Sequence, residues 1–214
     1  PDALSPVAWR ARSAEFGLPG LDLPKDVGGR GFSAEQMVQV FEHAGRISLN
    51  MRDMIGGAHV RPLLASSAPE VRSIVKDVAQ GKGYVAIAIT EKEAGSNMRA
   101  MQSQSVKVPG GYELTGAKMF NARLNNASHV VVFARSPEQD GKSTKLNAFV
   151  LPIDHPGLEV QTLGAHGLAA NSFGGISFNK VFVPERLRIG GEGEGGKVFR
   201  DHFRHVTFVP VFVV

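Results

Sequence analysis

Cysteine is absent from this 214-residue sequence, and its absence excludes several kinds of chemistry. Without thiols the chain cannot form disulfides, thiolate zinc sites or a cysteine nucleophile. Long apolar runs are missing as well, because none approaches the ~20 residues that a membrane-spanning helix needs. We therefore expect no membrane partner and a cytoplasmic location.

Charge of one sign is only weakly in excess. The 24 lysines and arginines outnumber the 20 acidic residues by four, and the basic residues are scattered along the chain. A scattered excess of this size argues against a nucleic-acid partner and is equally consistent with a small anionic ligand. Hydrophobic residues make up 43% of the chain, which is enough for a packed core.

Helical patterns occupy the first third of the chain. Ser5-Pro6 is typical of a helix start, Ser33-Ala34-Glu35-Gln36 has the pattern of a capping box, and Pro69 begins a third apolar-faced helix. Gly81 predicts the end of that third helix. Trp9 is the only tryptophan, and we interpret it as a core or interface anchor.

From residue 83 the spacing of apolar residues shortens to a period of about two, and glycine-bearing turns follow every ~8 to 12 residues. Strands are predicted at residues 84–89, 103–108, 112–115, 130–133, 146–152, 158–162 and 172–183. Helices first and strands later favour an α+β fold. We predict a helical N-terminal domain at 1–82, an antiparallel β-barrel or sandwich middle domain at 83–190, and a linker with a helical start at 191–214.

One stretch, residues 87–97, joins an apolar strand to a polar turn. The Thr90 hydroxyl at the strand end is well placed to hold a polar ring edge. Gly95 allows a ligand to approach the backbone closely, and successive backbone N–H groups in such a turn can bind an anion. A strand followed by an ordinary turn is an equally good interpretation of these residues alone.

The same stretch, Thr90-Glu91-Lys92-Glu93-Ala94-Gly95-Ser96-Asn97, resembles the T-E-P-x-A-G-S-D signature of acyl-CoA dehydrogenases. Lys92 and Asn97 replace the usual proline and aspartate. Further segments agree with the family in order and spacing, at residues 16–31, 116–120, 148–157 and 175–184. The resemblance covers roughly residues 15 to 200, and no single segment is decisive without the others.

The resemblance implies a flavoprotein oxidoreductase that contains FAD. Such enzymes remove a proton and a hydride from neighbouring carbons of an acyl thioester, carried on CoA or on an acyl carrier protein. In the family, the base is a glutamate of a C-terminal four-helix bundle. We expect this chain to be truncated before that bundle and therefore inactive, so its catalytic residue stays unknown. The resemblance also implies a homo-oligomer and an electron-transfer flavoprotein as partner.

By the same resemblance, the cofactor-binding residues are Ile87, Ile89, Thr90, Gly95, Ser96, Phe120, Asn121 and Ala122. The Thr90 hydroxyl would bond a ring heteroatom, and Ser96 would lie by the pyrophosphate and also reach the substrate thioester. Phe120 replaces the family's tryptophan and can still stack on a ring. Ala122 replaces a threonine whose hydroxyl bonds near flavin N5, and Asn121 could substitute for it.

Two alternatives stay open. The first keeps the fold but uses reduced flavin and oxygen to hydroxylate, since Phe120 and Ala122 depart from the family's pattern. The second is a non-catalytic scaffold or assembly remnant.

No metal is expected, because the histidines suggest no shared site and His202 and His205 have no third ligand near them in the sequence. The glycine-rich residues 190–196 are interpreted as a linker, since they lack the βαβ context of a dinucleotide fingerprint.

Overall fold

The computed structural model describes residues 5–48, 51, 54–137, 145–164 and 173–208. Its helices are α1 (Pro6–Ser13), α2 (Ala34–Ile47), α3 (Pro69–Ala79) and α4 (Gly195–Phe208). Its strands are β1 (Tyr84–Ala88), β2 (Gln104–Val108), β3 (Gly111–Ala122), β4 (Ala127–Arg135), β5 (Leu146–Pro152), β6 (Leu158–Leu163) and β7 (Phe173–Pro184). Short 3-10 segments lie between them at Ala14–Phe16, Lys25–Val27, Ala58–Ala65, Met98–Ala100, Leu124–Asn126 and Glu185–Leu187.

The helix starts predicted from the sequence are confirmed. The Ser5 side chain accepts a hydrogen bond from the Ala8 backbone N–H at 3.2 Å, which satisfies one otherwise unpaired donor of α1. Ser33 and Gln36 form the predicted capping box, in which each side chain bonds the other's backbone N–H. Helix α3 begins at Pro69, and Gly81, at φ 73°, adopts the left-handed conformation just after its end.

Trp9 was predicted to be a core or interface anchor, and the core alternative is wrong. The Trp9 side chain is 43% exposed and does not belong to the core, whereas its neighbour Arg10 is fully buried. The Arg10 guanidinium donates to the carbonyl oxygens of Gly56, Val78 and Gly83, at 2.9, 3.3 and 3.1 Å. Arg10 therefore ties α1 to the end of α3 and to the residue before β1.

The strands form one mixed sheet in the order β1-β4-β2-β3-β7-β6, and β5 pairs with the other edge of β4. The prediction of a purely antiparallel sheet is wrong, because β4 pairs in parallel with β1 and with the start of β2. That prediction rested on the period of about two and on the glycine-bearing turns, which do not determine which strands pair. Instead, β5 pairs along one edge of β4, while β1 and the start of β2 both pair in parallel with its other edge. The chain reaches β4 only after it has passed through the β2–β3 hairpin.

Two apolar clusters lie on opposite faces of β1, β4 and β5. Val85, Val131 and Phe133 pack on the helical side with residues of α3 and of the segment Ala58–Ala65. Val130 and Val132 face the other way and pack against residues of β3 and β7. The prediction that the run at residues 130–133 is buried on both faces is therefore confirmed.

Helix α4 packs back onto this core. Val198 belongs to the cluster on the helical side, and the helix contacts β5 and the segment Ala58–Ala65. Among the described residues, no helix combines the length and the apolar character that crossing a bilayer would require. The α+β class is confirmed, with α1 to α3 before the strands and α4 after them.

Candidate active site

The polar turn predicted after β1 is present and closed by its own backbone. Glu91 and Ala94 exchange two backbone hydrogen bonds, at 3.0 and 3.2 Å. The side chains before the turn, Ile87, Ile89 and Thr90, are half-buried. After it, Gly95 and Ser96 are exposed. A Cβ atom placed on Gly95 would meet no atom within 4 Å, so a ligand has open access to this backbone.

The end of β3 lies beside Thr90. The Met119 backbone N–H donates to the Thr90 carbonyl oxygen at 2.8 Å, which joins the two quoted motifs in space. The pairing of β3 with β7 shifts register between Lys118 and Asn121, as at a β-bulge. Within this irregularity Phe120 has φ 57° and its side chain is 63% exposed. The structure therefore presents a phenyl ring to solvent one residue beyond the contact with Thr90.

Asn121 and Ala122 are placed differently from Phe120. The Asn121 side chain is buried, and its Nδ2 donates to the carbonyl oxygens of Gly174, at 3.2 Å, and of Lys118, at 3.4 Å. It therefore braces the β3–β7 pairing and does not reach the exposed surface. Ala122 is half-buried opposite Phe173.

A buried ion pair lies under the turn. The Lys118 ammonium and a Glu91 carboxylate oxygen are 2.7 Å apart, with side-chain exposures of 0% and 6%. Burial lowers the pKa of Lys118 to about 8, although the bond to Glu91 acts in the opposite direction. Burial alone would raise the pKa of Glu91, but hydrogen bonds from Lys118, Ser103 and Gln102 outweigh it and the net shift is downward.

Both members of this pair belong to motifs quoted from the sequence, yet neither was predicted to be a site residue. A signal for Lys118 does exist, because it follows the buried residues Tyr112 and Leu114 at a spacing of two. Alternation along a strand therefore places its side chain on the inward face. A lysine on an inward face requires a buried partner, and Glu91 supplies it.

A cavity of about 370 Å³ opens beside Phe120, between β3, β6 and β7. Lys92, Met119 and Val160 contribute to its lining. On its wall the Ser177 hydroxyl donates to a Glu159 carboxylate oxygen at 3.1 Å. The cavity lies on the Phe120 side of the site, and its lining does not include Thr90 or Ser96.

Two histidines meet elsewhere in the structure. His59 Nδ1 lies 3.2 Å from His202 Nε2, where α4 packs on the segment Ala58–Ala65. A second cavity, of about 390 Å³, adjoins His202 and is lined by residues that include Arg61, Lys197 and Asp201. Within the ranges that the structure describes, no group of three or more histidine, aspartate or glutamate residues could hold a metal ion.

Comparison with known proteins agrees with this geometry. Residues 86–181 match the family described as "Acyl-CoA dehydrogenase, middle domain". The chain is 28% identical over 203 residues to benzylmalonyl-CoA dehydrogenase of Aromatoleum aromaticum, covering 89% of this chain and 52% of that protein. It is 29% identical over 205 residues to L-prolyl-[peptidyl-carrier protein] dehydrogenase of a Serratia species, covering 92% of this chain and 53% of that protein.

Solved structures give the same result. The structure described as "PigA with FAD and proline" superposes with a TM-score of 0.83 at 27% identity, covering 95% of this chain and 54% of that one. The chain thus spans about half the length of the curated relatives it matches. Residues 86–181 of this chain therefore form a middle domain of the acyl-CoA dehydrogenase family.

Proposed function

We propose that this chain carries the flavin-binding part of an FAD-dependent dehydrogenase that acts on an acyl thioester. The observation that carries the proposal is the pairing of an exposed Phe120 ring with the Thr90 segment, across the bond from Met119 N–H to the Thr90 carbonyl. Relatives named for CoA and carrier-protein thioesters, and one solved with FAD, support this assignment.

The exposed residues fit a flavin dinucleotide. An exposed phenyl ring offers a stacking surface, and the open backbone at Gly95 leaves room for a phosphate group. We assign the ring contacts to Ile87, Ile89, Thr90 and Phe120. Bound FAD would accept the hydride that leaves the substrate.

The remaining predicted residues receive secondary roles. Gly95 and Ser96 would hold the pyrophosphate, and Ser96 would also contact the thioester. Ala122 would lie near the ring without donating a hydrogen bond, and Asn121 would fix the strand that carries Phe120. We assign the proton-abstracting base to no residue in the part of the chain that the structure describes.

The first experiment is an absorbance spectrum of the purified chain, followed by titration with FAD. We expect a flavin spectrum or saturable binding, and we expect Thr90→Val and Ser96→Ala to weaken it. Thr162→Val is the matched control, because Thr162 is exposed on β6 and lies outside the lining of the Phe120 cavity. Absence of flavin and of binding would refute the proposal for this chain, and equal losses in all variants would refute the residue assignments.

Gly95→Ala separates a ligand contact from a structural role. The substituted methyl group would meet no atom within 4 Å, so stability should change by less than about 0.5 kcal/mol. FAD affinity should nevertheless fall, because the methyl group would occupy the space left for the phosphate. Gly164→Ala is the control, since its Cβ would also meet nothing within 4 Å.

A flavin-dependent hydroxylation is the second candidate, and Ala122 favours it because that position lacks the family's hydroxyl. It is distinguished by following whether oxygen reoxidises the reduced flavin with formation of a hydroxylated product.

The proposal of a dehydrogenase also includes the domain division at 1–82, 83–190 and 191–214. It further includes assembly into a homo-oligomer, electron transfer to an electron-transfer flavoprotein, and a cytoplasmic location. Light scattering tests the assembly.

A further inference from the structure

The buried pair of Glu91 and Lys118 joins three separate segments of the chain. Glu91 is the first residue of the turn after β1, and Lys118 lies on the inward face of β3. Besides each other, Glu91 accepts hydrogen bonds from the backbone N–H groups of Gln102 and Ser103. Lys118 Nζ also donates to the Ile89 carbonyl oxygen at 3.2 Å.

These contacts surround the residues assigned to the flavin ring. The Ile89 carbonyl, bonded by Lys118, directly precedes Thr90, and the Thr90 carbonyl accepts from Met119, which directly precedes Phe120. A shift of β3 along the segment after β1 would therefore break the ion pair together with the hydrogen bond from Met119 to Thr90. The pair therefore fixes the position of Lys118 on β3 relative to the turn that begins at Glu91.

A stable core does not by itself require this pair. Desolvation offsets most of the attraction in a buried ion pair, and well-packed apolar residues are often equally stabilising. Unlike apolar packing, a buried ion pair is directional. Each donor and acceptor must keep its position, because otherwise a buried charge is left uncompensated. Such a directional contact is suited to a place where two segments must hold one ligand between them.

We propose that Glu91 and Lys118 are positioning residues, which hold Thr90 and Phe120 at the separation that a flavin ring needs. The inference rests on the proposed function for its ligand, but its structural claim concerns residues 89–91 and 118–120 alone. It predicts that loss of the pair loosens this register while the rest of the sheet stays intact.

The test uses the double substitution Glu91→Gln with Lys118→Met, which removes both charges and leaves neither partner alone. Hydrogen exchange of backbone amides is measured first, without FAD. We expect the Met119 amide to exchange at least about tenfold faster, while amides of the β4–β5 pairing change less than about twofold. FAD titration follows, with an expected rise of at least about tenfold in the dissociation constant.

The control removes an exposed pair, Lys107 and Glu192, whose side chains are 58% and 40% exposed, by Lys107→Met with Glu192→Gln. It should leave both measurements unchanged. If the double variant at positions 91 and 118 does not fold, Lys118→Arg replaces it, since arginine keeps the positive charge opposite Glu91 and should give a smaller change of the same sign.

Unchanged exchange at Met119 in a folded variant would overturn the inference, and so would wild-type FAD affinity in that variant. Failure of the wild-type chain to bind FAD would instead refute the proposed function. The exchange experiment would then still decide whether the pair holds the two segments in register.

Discussion

Replacing Arg10 by methionine is expected to lower the free energy of unfolding by about 3–5 kcal/mol. Its guanidinium donates to the carbonyl oxygens of Gly56, Val78 and Gly83 and lies 4.8 Å from the ring centroid of Tyr84. Each hydrogen bond from a charged donor is worth about 1.5–3 kcal/mol, and desolvation of the buried guanidinium offsets part of their sum. Methionine would fill much of the volume but leave the carbonyls without this donor.

The measurement is urea-induced unfolding followed by circular dichroism. Arg12→Met is the matched control, because Arg12 lies on the same helix and is exposed, so it should change stability by less than about 0.5 kcal/mol. Arg10→Lys should fall between the two, since an ammonium keeps the charge without the planar fork of donors. A loss below about 1 kcal/mol for Arg10→Met, with an unchanged denaturant slope, would refute this account.

Three further predictions concern the site. Gly116→Ala should destabilise the chain by about 1–3 kcal/mol in thermal unfolding, because its φ is +155° and its Cβ would lie 2.2 Å from Ser103 Oγ; a neutral result would contradict the close approach. At pH values between the lowered pKa of Lys118, about 8, and its ordinary value of 10.5, Lys118 binds more protons in the unfolded chain than in the folded chain. The stability of the wild type relative to Lys118→Met should therefore rise with pH across that window, by at most about 1.4 kcal/mol per pH unit, and a flat difference would argue against burial of the charge. Phe120→Ala should leave stability within about 0.5 kcal/mol, because the ring is 63% exposed, yet weaken FAD binding in a fluorescence titration, whereas Ala122→Thr should strengthen it.

Local signals explain which parts of the fold could be predicted. The starts of α1, α2 and α3 follow from Ser5, Ser33 and Pro69, because capping depends on residues within one turn of the helix. Strand β5 was predicted with its observed bounds, Leu146–Pro152, since apart from Asn147 it is rich in apolar residues. These elements need no information from distant parts of the chain.

Long-range partners explain what could not be predicted. The parallel pairing of β1 with β4 depends on where the β2–β3 hairpin lies, which no local pattern states. Arg10 is buried because three carbonyls that are distant in the sequence accept its hydrogen bonds. Residue type alone instead pointed to its neighbour Trp9 as the anchor. The exposed position of Phe120 depends on the irregular pairing of β3 with β7.

The parallel pairing of β1 also has a consequence for synthesis of the protein. Tyr84 pairs with Ala127, so the apolar strand β1 leaves the ribosome about 40 residues before its partner. At 5–20 residues per second, that delay lasts roughly 2–8 s. α3 and the segment Ala58–Ala65 are already available to cover the helical face of the strand during that time, whereas β4 is not. We therefore expect the nascent chain to be most prone to aggregation, and most dependent on chaperones, between the emergence of β1 and the emergence of β4 from the ribosome.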